Sequence, residues 1–361
     1  MTRLAEKPLQ LLRIGRRVET QPPPRGRAPV THVVLLDGTL STLEPGAETN
    51  IGLIYRLLRS RPASARLSLY YEAGVQWHVW RDTPAVAMGR GINRQIRRAY
   101  GWLSTRYRPG DRIFFFGYSR GAYAVRSLAG VIDQVGLLRP EHATERNVQL
   151  AYRYYQREPG SPGEAVFRRR FCHEAVAIEM IGAFDTVKAL GVRLPFLWVW
   201  TEPSHEFHNH HLSPVVKAGF HALALDETRA AFDPILWDSR AGDWRGRLEQ
   251  VWFRGAHGDV GGQLGGFDAA RPLSNIPLVW MLEKTEASGL PLPEGWRAGF
   301  ATDPTAPSVG TTRGWGKAFM LRARRVVGRD PSETVHPTAT AGRRPRPAGW
   351  HLPTLPLSRR T

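Results

Sequence analysis

The stretch Ile113-Phe114-Phe115-Phe116-Gly117-Tyr118-Ser119-Arg120-Gly121-Ala122 decides how this chain folds. Ile113 to Phe116 is an unbroken run of large apolar residues, the pattern of a short strand buried on both faces. Pro109-Gly110-Asp111 before it is a turn signal. Val125, Leu128, Ala129 and Ile132 after it repeat at helical spacing. A serine between two glycines therefore sits where a buried strand turns into a helix. So tight a turn forces the serine into an unfavourable backbone conformation. It also brings neighbouring backbone too close for side chains, which explains Gly117 and Gly121. The pattern alone is common by chance; in this strand–turn–helix setting it is a nucleophile elbow, with Ser119 as the nucleophile.

A serine hydroxyl needs a base to take its proton, and the base needs an acid to orient it. Two later segments supply them. Ala175 to Ile181 reads as a strand and ends at Gly182-Ala183-Phe184-Asp185-Thr186. Leu248 to Phe253 reads as another and ends at Gly255-Ala256-His257-Gly258-Asp259. Nucleophile, acid and base thus follow in the order Ser119, Asp185, His257, each after a strand, which is the α/β-hydrolase order. An oxyanion hole needs two backbone N–H groups. One is expected from Arg120, the residue after the nucleophile. The other is expected from Gly38 or Thr39, after the first strand.

Outward from the elbow, Thr31 to Leu36 reads as a buried strand, Asn50 to Arg59 as a helix, and Arg66 to Tyr71 as a second strand. Asn93 can cap a helix carrying Ile96, Tyr100, Leu103 and Tyr107. Strand and helix alternate, so the fold class is α/β: an α/β-hydrolase-like, mostly parallel sheet with helices on both faces. Residues 144–172 read as helical, broken at Pro159-Gly160-Ser161-Pro162-Gly163, and suit either a cap or a packed helix pair. Pro214 to Leu225 reads as a helix. Ser274 to Ala287 reads as another, capped by Ser274 with Pro277 in its first turn. The chain divides into a basic, Pro-rich lead (1–30), a hydrolase domain (31–340) with insertions near 140–172 and 192–215, and a basic Pro/Arg-rich tail (341–361).

The chain has 361 residues, is 42% hydrophobic, carries 12 Trp and has a net charge of +18. That is ample for a large core. Residues 1–30 hold +5 and residues 320–361 hold +7, so the ends carry most of the excess. Basic ends suit anionic membrane surfaces or solvated tails. No nucleic-acid-binding signature accompanies them. The single cysteine, Cys172, excludes an internal disulfide framework. No apolar window is long enough for a transmembrane helix, and no signal-peptide pattern occurs at the start. A cytoplasmic location, or export without a signal peptide, is expected.

Asp37-Gly38-Thr39 resembles the D-x-D-G-T phosphatase motif, but Leu35 stands where the nucleophilic Asp belongs. Asp37 can orient the oxyanion loop, ligate a cation or simply form the turn. Asp259 has a similar choice, with support of the Gly261-Gly262 turn favoured. His205, His208, His210 and His211 cluster around Glu206, but loop histidines of this kind usually bind nothing. No resident metal or other cofactor is expected. His221 reads as a hydrogen-bonded core residue, and His336 is a fallback base.

Taken together the motifs resemble a known family. They are Leu36-Asp37-Gly38-Thr39, Thr49-Asn50, Phe116-Gly117-Tyr118-Ser119-Arg120-Gly121-Ala122-Tyr123, Phe184-Asp185-Thr186-Val187, His221 to Glu227, and Val251 to Gly262. In this order they are similar to the DUF2235 family, the catalytic domain of Tle1-type phospholipase effectors of type VI secretion. The resemblance covers about residues 31–340. It implies an α/β-hydrolase fold, lipolytic activity and the triad Ser119, Asp185 and His257. Phe184 stands where that family usually has Trp, and Gly258 where Ser is common; neither removes a catalytic group.

The expectation is a serine hydrolase acting on phospholipid or other acyl esters, with basic ends able to touch an anionic membrane. A non-catalytic binding protein on the same fold and a metal-assisted hydrolase are the alternatives.

Overall fold

The computed structural model describes residues 27–62, 66–74, 90–187, 211–240, 244, 246–313 and 321–340. Most of the basic lead, the basic tail and three of the four clustered histidines (His205, His208 and His210) lie outside the described residues. So does most of the 192–215 stretch.

A seven-stranded sheet forms the centre, in the order β2-β1-β3-β4-β5-β6-β7. The strands are β1 (Thr31–Leu36), β2 (Leu67–Glu72), β3 (Arg112–Tyr118), β4 (Met180–Phe184), β5 (Ala218–Ala224), β6 (Arg247–Phe253) and β7 (Glu333–Val335). Every pairing between them is parallel. Among the described residues seven α-helices accompany them: α1 (Asn50–Arg59), α2 (Arg90–Arg106), α3 (Arg120–Gln134), α4 (Glu145–Tyr155), α5 (Pro162–Phe171), α6 (His257–Gly261) and α7 (Arg271–Ala287).

The sheet separates two hydrophobic cores, and adjacent strand residues enter opposite ones. Val34, Leu36, Ile113 and Phe115 face α2 and α3, and Val33, Leu35, Phe114 and Phe116 face α1 and α7. This is why the elbow strand carries no polar alternation: each Phe is fully buried, worth roughly 1.5–3 kcal/mol. The 140–172 stretch contributes Val148, Tyr152, Tyr155 and Phe167 to the first core, as a packed helix pair does. No described helix is long and apolar enough to cross a membrane.

The chain leaves β1 through α1 to β2 on one side, then returns through α2 to β3 on the other. The sheet order reverses between β1 and β3, and the carboxyl ends of strands flanking such a reversal form a crevice. Register keeps those ends level: Leu36 pairs with Gly117, Tyr118 with Phe184, and Ala224 with Phe253. The loops after β1, β3, β4 and β6 therefore open on one edge.

Several expectations need correction. The fourth strand is Met180–Phe184, not Ala175–Ile181. Gly182-Ala183-Phe184 completes it by pairing with Phe116-Gly117-Tyr118 of β3, and Met281 and Phe116 leave no room for a side chain at Gly182. Residues 214–225 hold strand β5, not a helix. Its alanine-rich sequence lacks alternation because both faces are covered, and every residue is buried. The Glu333–Val335 strand was not expected from the sequence; it pairs along only three residues of β6. Asn93 lies inside α2, which starts at Arg90. Ser274 does not cap α7, which begins at Arg271 with Pro272 in the first turn.

Candidate active site

Ser119 follows β3 and stands at the N-cap of α3, with φ 57° and ψ −121°, a conformation that non-glycine residues avoid. Its surroundings hold it there. The Ser119 N–H donates to the Phe184 carbonyl (2.9 Å). A Cβ on Gly117 would stand 2.5 Å from the Gly121 carbonyl oxygen, and one on Gly121 would stand 2.0 Å from that of Leu36. Both glycines are thus needed for the reason the sequence suggested.

His257 opens α6 directly after β6. Its Nε2 lies 2.9 Å from Ser119 Oγ, and its Nδ1 lies 2.5 Å from Asp185 Oδ2. The imidazole is packed between the Tyr118 and Phe232 rings, each 4.8 Å away between centroids. Its backbone N–H donates to Glu227 Oε2 (3.1 Å), and Arg229 pairs with the same carboxylate (2.7 Å). Burial holds the imidazole below its ordinary pKa, against the opposing pull of Asp185. The ring is therefore neutral near pH 7, able to accept the serine proton.

Asp185 follows β4 and also has a positive φ, 43°. It is fully buried. Ala224 N–H donates to its Oδ1 (2.9 Å). Arg325 contacts both carboxylate oxygens, with Nη2 at 2.9 Å from Oδ2 and Nη1 on Oδ1. Burial would raise the pKa of this acid. The Arg325 charge, followed by the His257 hydrogen bond, overcomes it and holds the carboxyl well below the usual range.

The loop after β1 lies beside the elbow. Gly38 N–H donates to the Asp37 carboxylate (2.7 Å), so it is turned to its own neighbour and is not available as an oxyanion donor. Thr39 N–H and Arg120 N–H have no acceptor among the described residues. The expected pair thus narrows to Thr39 and Arg120. Asp37 also accepts from Thr49 Oγ1 (2.7 Å) and Tyr71 OH (2.8 Å). Burial pushes its pKa up to about 6, with these donors resisting the rise. Asp37 is thus a brace for the loop. Its oxygens are already filled by protein donors.

Asp259 braces the next loop, accepting from Ala256 N–H (2.7 Å), Ser308 Oγ (2.6 Å) and Val309 N–H (2.8 Å). It holds the turn that presents His257, rather than the Gly261-Gly262 turn. No group of three His, Cys, Asp or Glu residues among the described residues is arranged to hold a metal ion. His211 Nδ1 lies 3.5 Å from the Asp238 carbonyl oxygen. His221 is buried and hydrogen-bonded to Thr186 N–H (3.1 Å), as expected for a core residue, though on a strand. His336 stacks on Phe253 at 4.7 Å and does not reach Ser119.

Sequence reasoning missed Arg325, Arg229 and Phe232. Glu227 lies within a quoted motif without an assigned role. Arg325 carried no signal, because one arginine in an Arg-rich segment looks like solvated charge.

A family model described as the T6SS phospholipase effector Tle1-like catalytic domain matches residues 31–284. An uncharacterized protein of Saccharomyces cerevisiae is 29% identical over 230 residues, covering 56% of this chain and 32% of that protein. A crystal structure of an uncharacterized Pseudomonas aeruginosa protein aligns with 76% of this chain and 49% of its own, at 19% identity and a TM-score of 0.42. The Tle1 effector bound to the VgrG spike of the type 6 secretion system aligns with 65% of this chain and 51% of its own, at 19% identity and a TM-score of 0.33. The chain therefore spans about a third of the yeast relative and about half of each solved chain.

Proposed function

The chain belongs to the Tle1-like phospholipase effector catalytic-domain family, and from that premise we propose that it is a serine hydrolase of lipid acyl esters, phospholipids foremost. The observation that carries the reading is the unbroken contact from Ser119 through His257 to Asp185, with Ser119 held in a strained elbow.

In this mechanism Ser119 Oγ attacks the acyl carbon while His257 Nε2 takes its proton. Asp185 stabilises the imidazolium and fixes its tautomer through Nδ1. The tetrahedral oxyanion accepts hydrogen bonds from the Arg120 and Thr39 N–H groups. Collapse expels the alcohol, which takes the proton from His257, and leaves an acyl-Ser119 ester. Water, deprotonated by His257, then releases the fatty acid.

The test is incubation with a mixed lipid extract, wild type against Ser119→Ala, with products read by mass spectrometry. Free fatty acid and the matching deacylated lipid are expected from wild type alone. A folded wild type that releases nothing, and is inert to a fluorophosphonate probe, would overturn the reading.

A further inference from the structure

Residues 321–325 form a strap that reaches the site from beyond the segment matched by the family model. Ala230 N–H donates to Leu321 O (3.0 Å), and Ala323 N–H to Thr228 O (2.8 Å). The strap is thereby fixed beside the segment carrying Glu227, Arg229 and Phe232. From it Arg325 turns inward, with a side chain only 3% exposed. Besides both oxygens of Asp185, its guanidinium donates to Ala224 O (2.8 Å) and Phe232 O. One side chain thus ties the triad acid, the end of β5 and the residue packed on the His257 ring.

We propose that Arg325 is a positioning residue for this site: its planar fork fixes the orientation of the Asp185 carboxylate, and its charge moderates the field that Asp185 exerts on His257. This rests on the serine-hydrolase reading. A bidentate guanidinium leaves a carboxylate one orientation, which an ammonium does not. Asp185 already gives one hydrogen-bonding place to Ala224 N–H, so with Arg325 seated the remaining direction is toward His257 Nδ1.

The charges facing the pair come from several elements. Asp185 meets Arg325 from the strap, His257 from α6, and Tyr118 and His221 from the sheet. His257 meets Asp185, Arg229 and Glu227, with the Tyr118 and Phe232 rings packed beside it. Burial depresses His221, to about 3, so it adds no charge near neutrality. Removing the Arg325 cation leaves Asp185 facing His257 with Arg229 as the remaining cation, so the imidazolium becomes easier to form. A full charge a few ångströms away, at an effective dielectric of about 20, moves a pKa by roughly one unit or more.

The experiment has two arms. In a Ser119→Ala background, the His257 ring is titrated by NMR with and without Arg325→Gln. Its midpoint is expected to rise by about one pH unit or more, and an unchanged midpoint in a folded variant overturns the proposal. In the active enzyme, Arg325→Lys keeps the charge and loses the fork. The acid limb of kcat/KM is expected to stay in place while kcat falls about tenfold at unchanged KM, the loss of one precisely aligned contact. Wild-type kcat in folded Arg325→Lys overturns the proposal even where Arg325→Gln does not fold. Wild type without any esterase activity sinks the hydrolase reading instead, and the NMR arm then decides the role of Arg325 alone.

Discussion

The α-carbon of Gly121 faces the Leu36 carbonyl so closely that a Cβ there would stand 2.0 Å from the oxygen. This contact locks the first turn of α3 onto the end of β1, and so locks Ser119 beside the loop that carries Thr39. Gly121→Ala must push the two apart. Overpacking of this kind costs about 1–3 kcal/mol, so the thermal midpoint is expected to fall. Ester hydrolysis is expected to fall further than stability explains, because Ser119 and Thr39 separate. Parallel calorimetry and assays on the folded fraction check it; wild-type activity in the alanine variant contradicts the locking contact.

Asp185→Asn removes a charge from the buried pair with Arg325 and turns the side chain that orients His257. In the reference triad the equivalent change costs about 10⁴ in kcat, and a similar loss is expected here. Breaking one partner of a buried ion pair costs about 3–5 kcal/mol, so the variant also loses stability. A variant with native stability and activity would show that Asp185 is neither the orienting acid nor the partner of Arg325.

Thr49→Val tests the loop brace. Thr49 caps α1 through Gly52 N–H and donates to both oxygens of Asp37. Loss of the cap alone costs about 0.5–2 kcal/mol, and Asp37 loses one of its donors in a fully buried place. Urea unfolding is expected to show the loss, and kcat is expected to drop with KM little changed, because the Thr39 N–H is no longer held. Unchanged kcat would separate the brace from the oxyanion loop.

Acid pH should act on both activity and stability. In the proposed mechanism His257 must be neutral to accept the serine proton, and its pKa is held below 6.5 by burial. Hydrolysis is therefore expected to be flat above pH 6.5 on the acid side and to fall at lower pH. His221 also has a depressed pKa, about 3. For both, the unfolded chain takes up protons first, so their stability contribution is present above 6.5 and is lost as pH falls below it. Asp37 has the opposite sign: its pKa is raised to about 6, so stability declines as pH rises from 3.8 toward 6. Urea midpoints across this range check the two signs. An acid limb above pH 6.5 would contradict a buried, neutral His257.

Much of this was readable in the residues. Ile113 to Phe116 announced a doubly covered strand, and a Gly-Tyr-Ser-Arg-Gly turn has few backbone solutions. The order Ser119, Asp185, His257 followed from strand ends alone. The sequence also erred where local pattern and tertiary burial disagree. Residues 218–224 look helical because Ala and Leu favour helices, yet between β4 and β6 they have no polar face to show and become a strand.

What the sequence by itself determined is the elbow, much of the alternation of strand and helix, and the order in which Ser119, Asp185 and His257 follow strands, because these depend on neighbours along the chain. What only the tertiary structure decided is which groups meet. It turned Gly38 N–H to Asp37 and left the Thr39 and Arg120 N–H groups without an acceptor among the described residues. It drew Arg325 from an apparently solvated basic segment onto an aspartate 140 positions away. A charge is assigned its role by the dielectric and the partner around it. Neither is written within the few residues on either side.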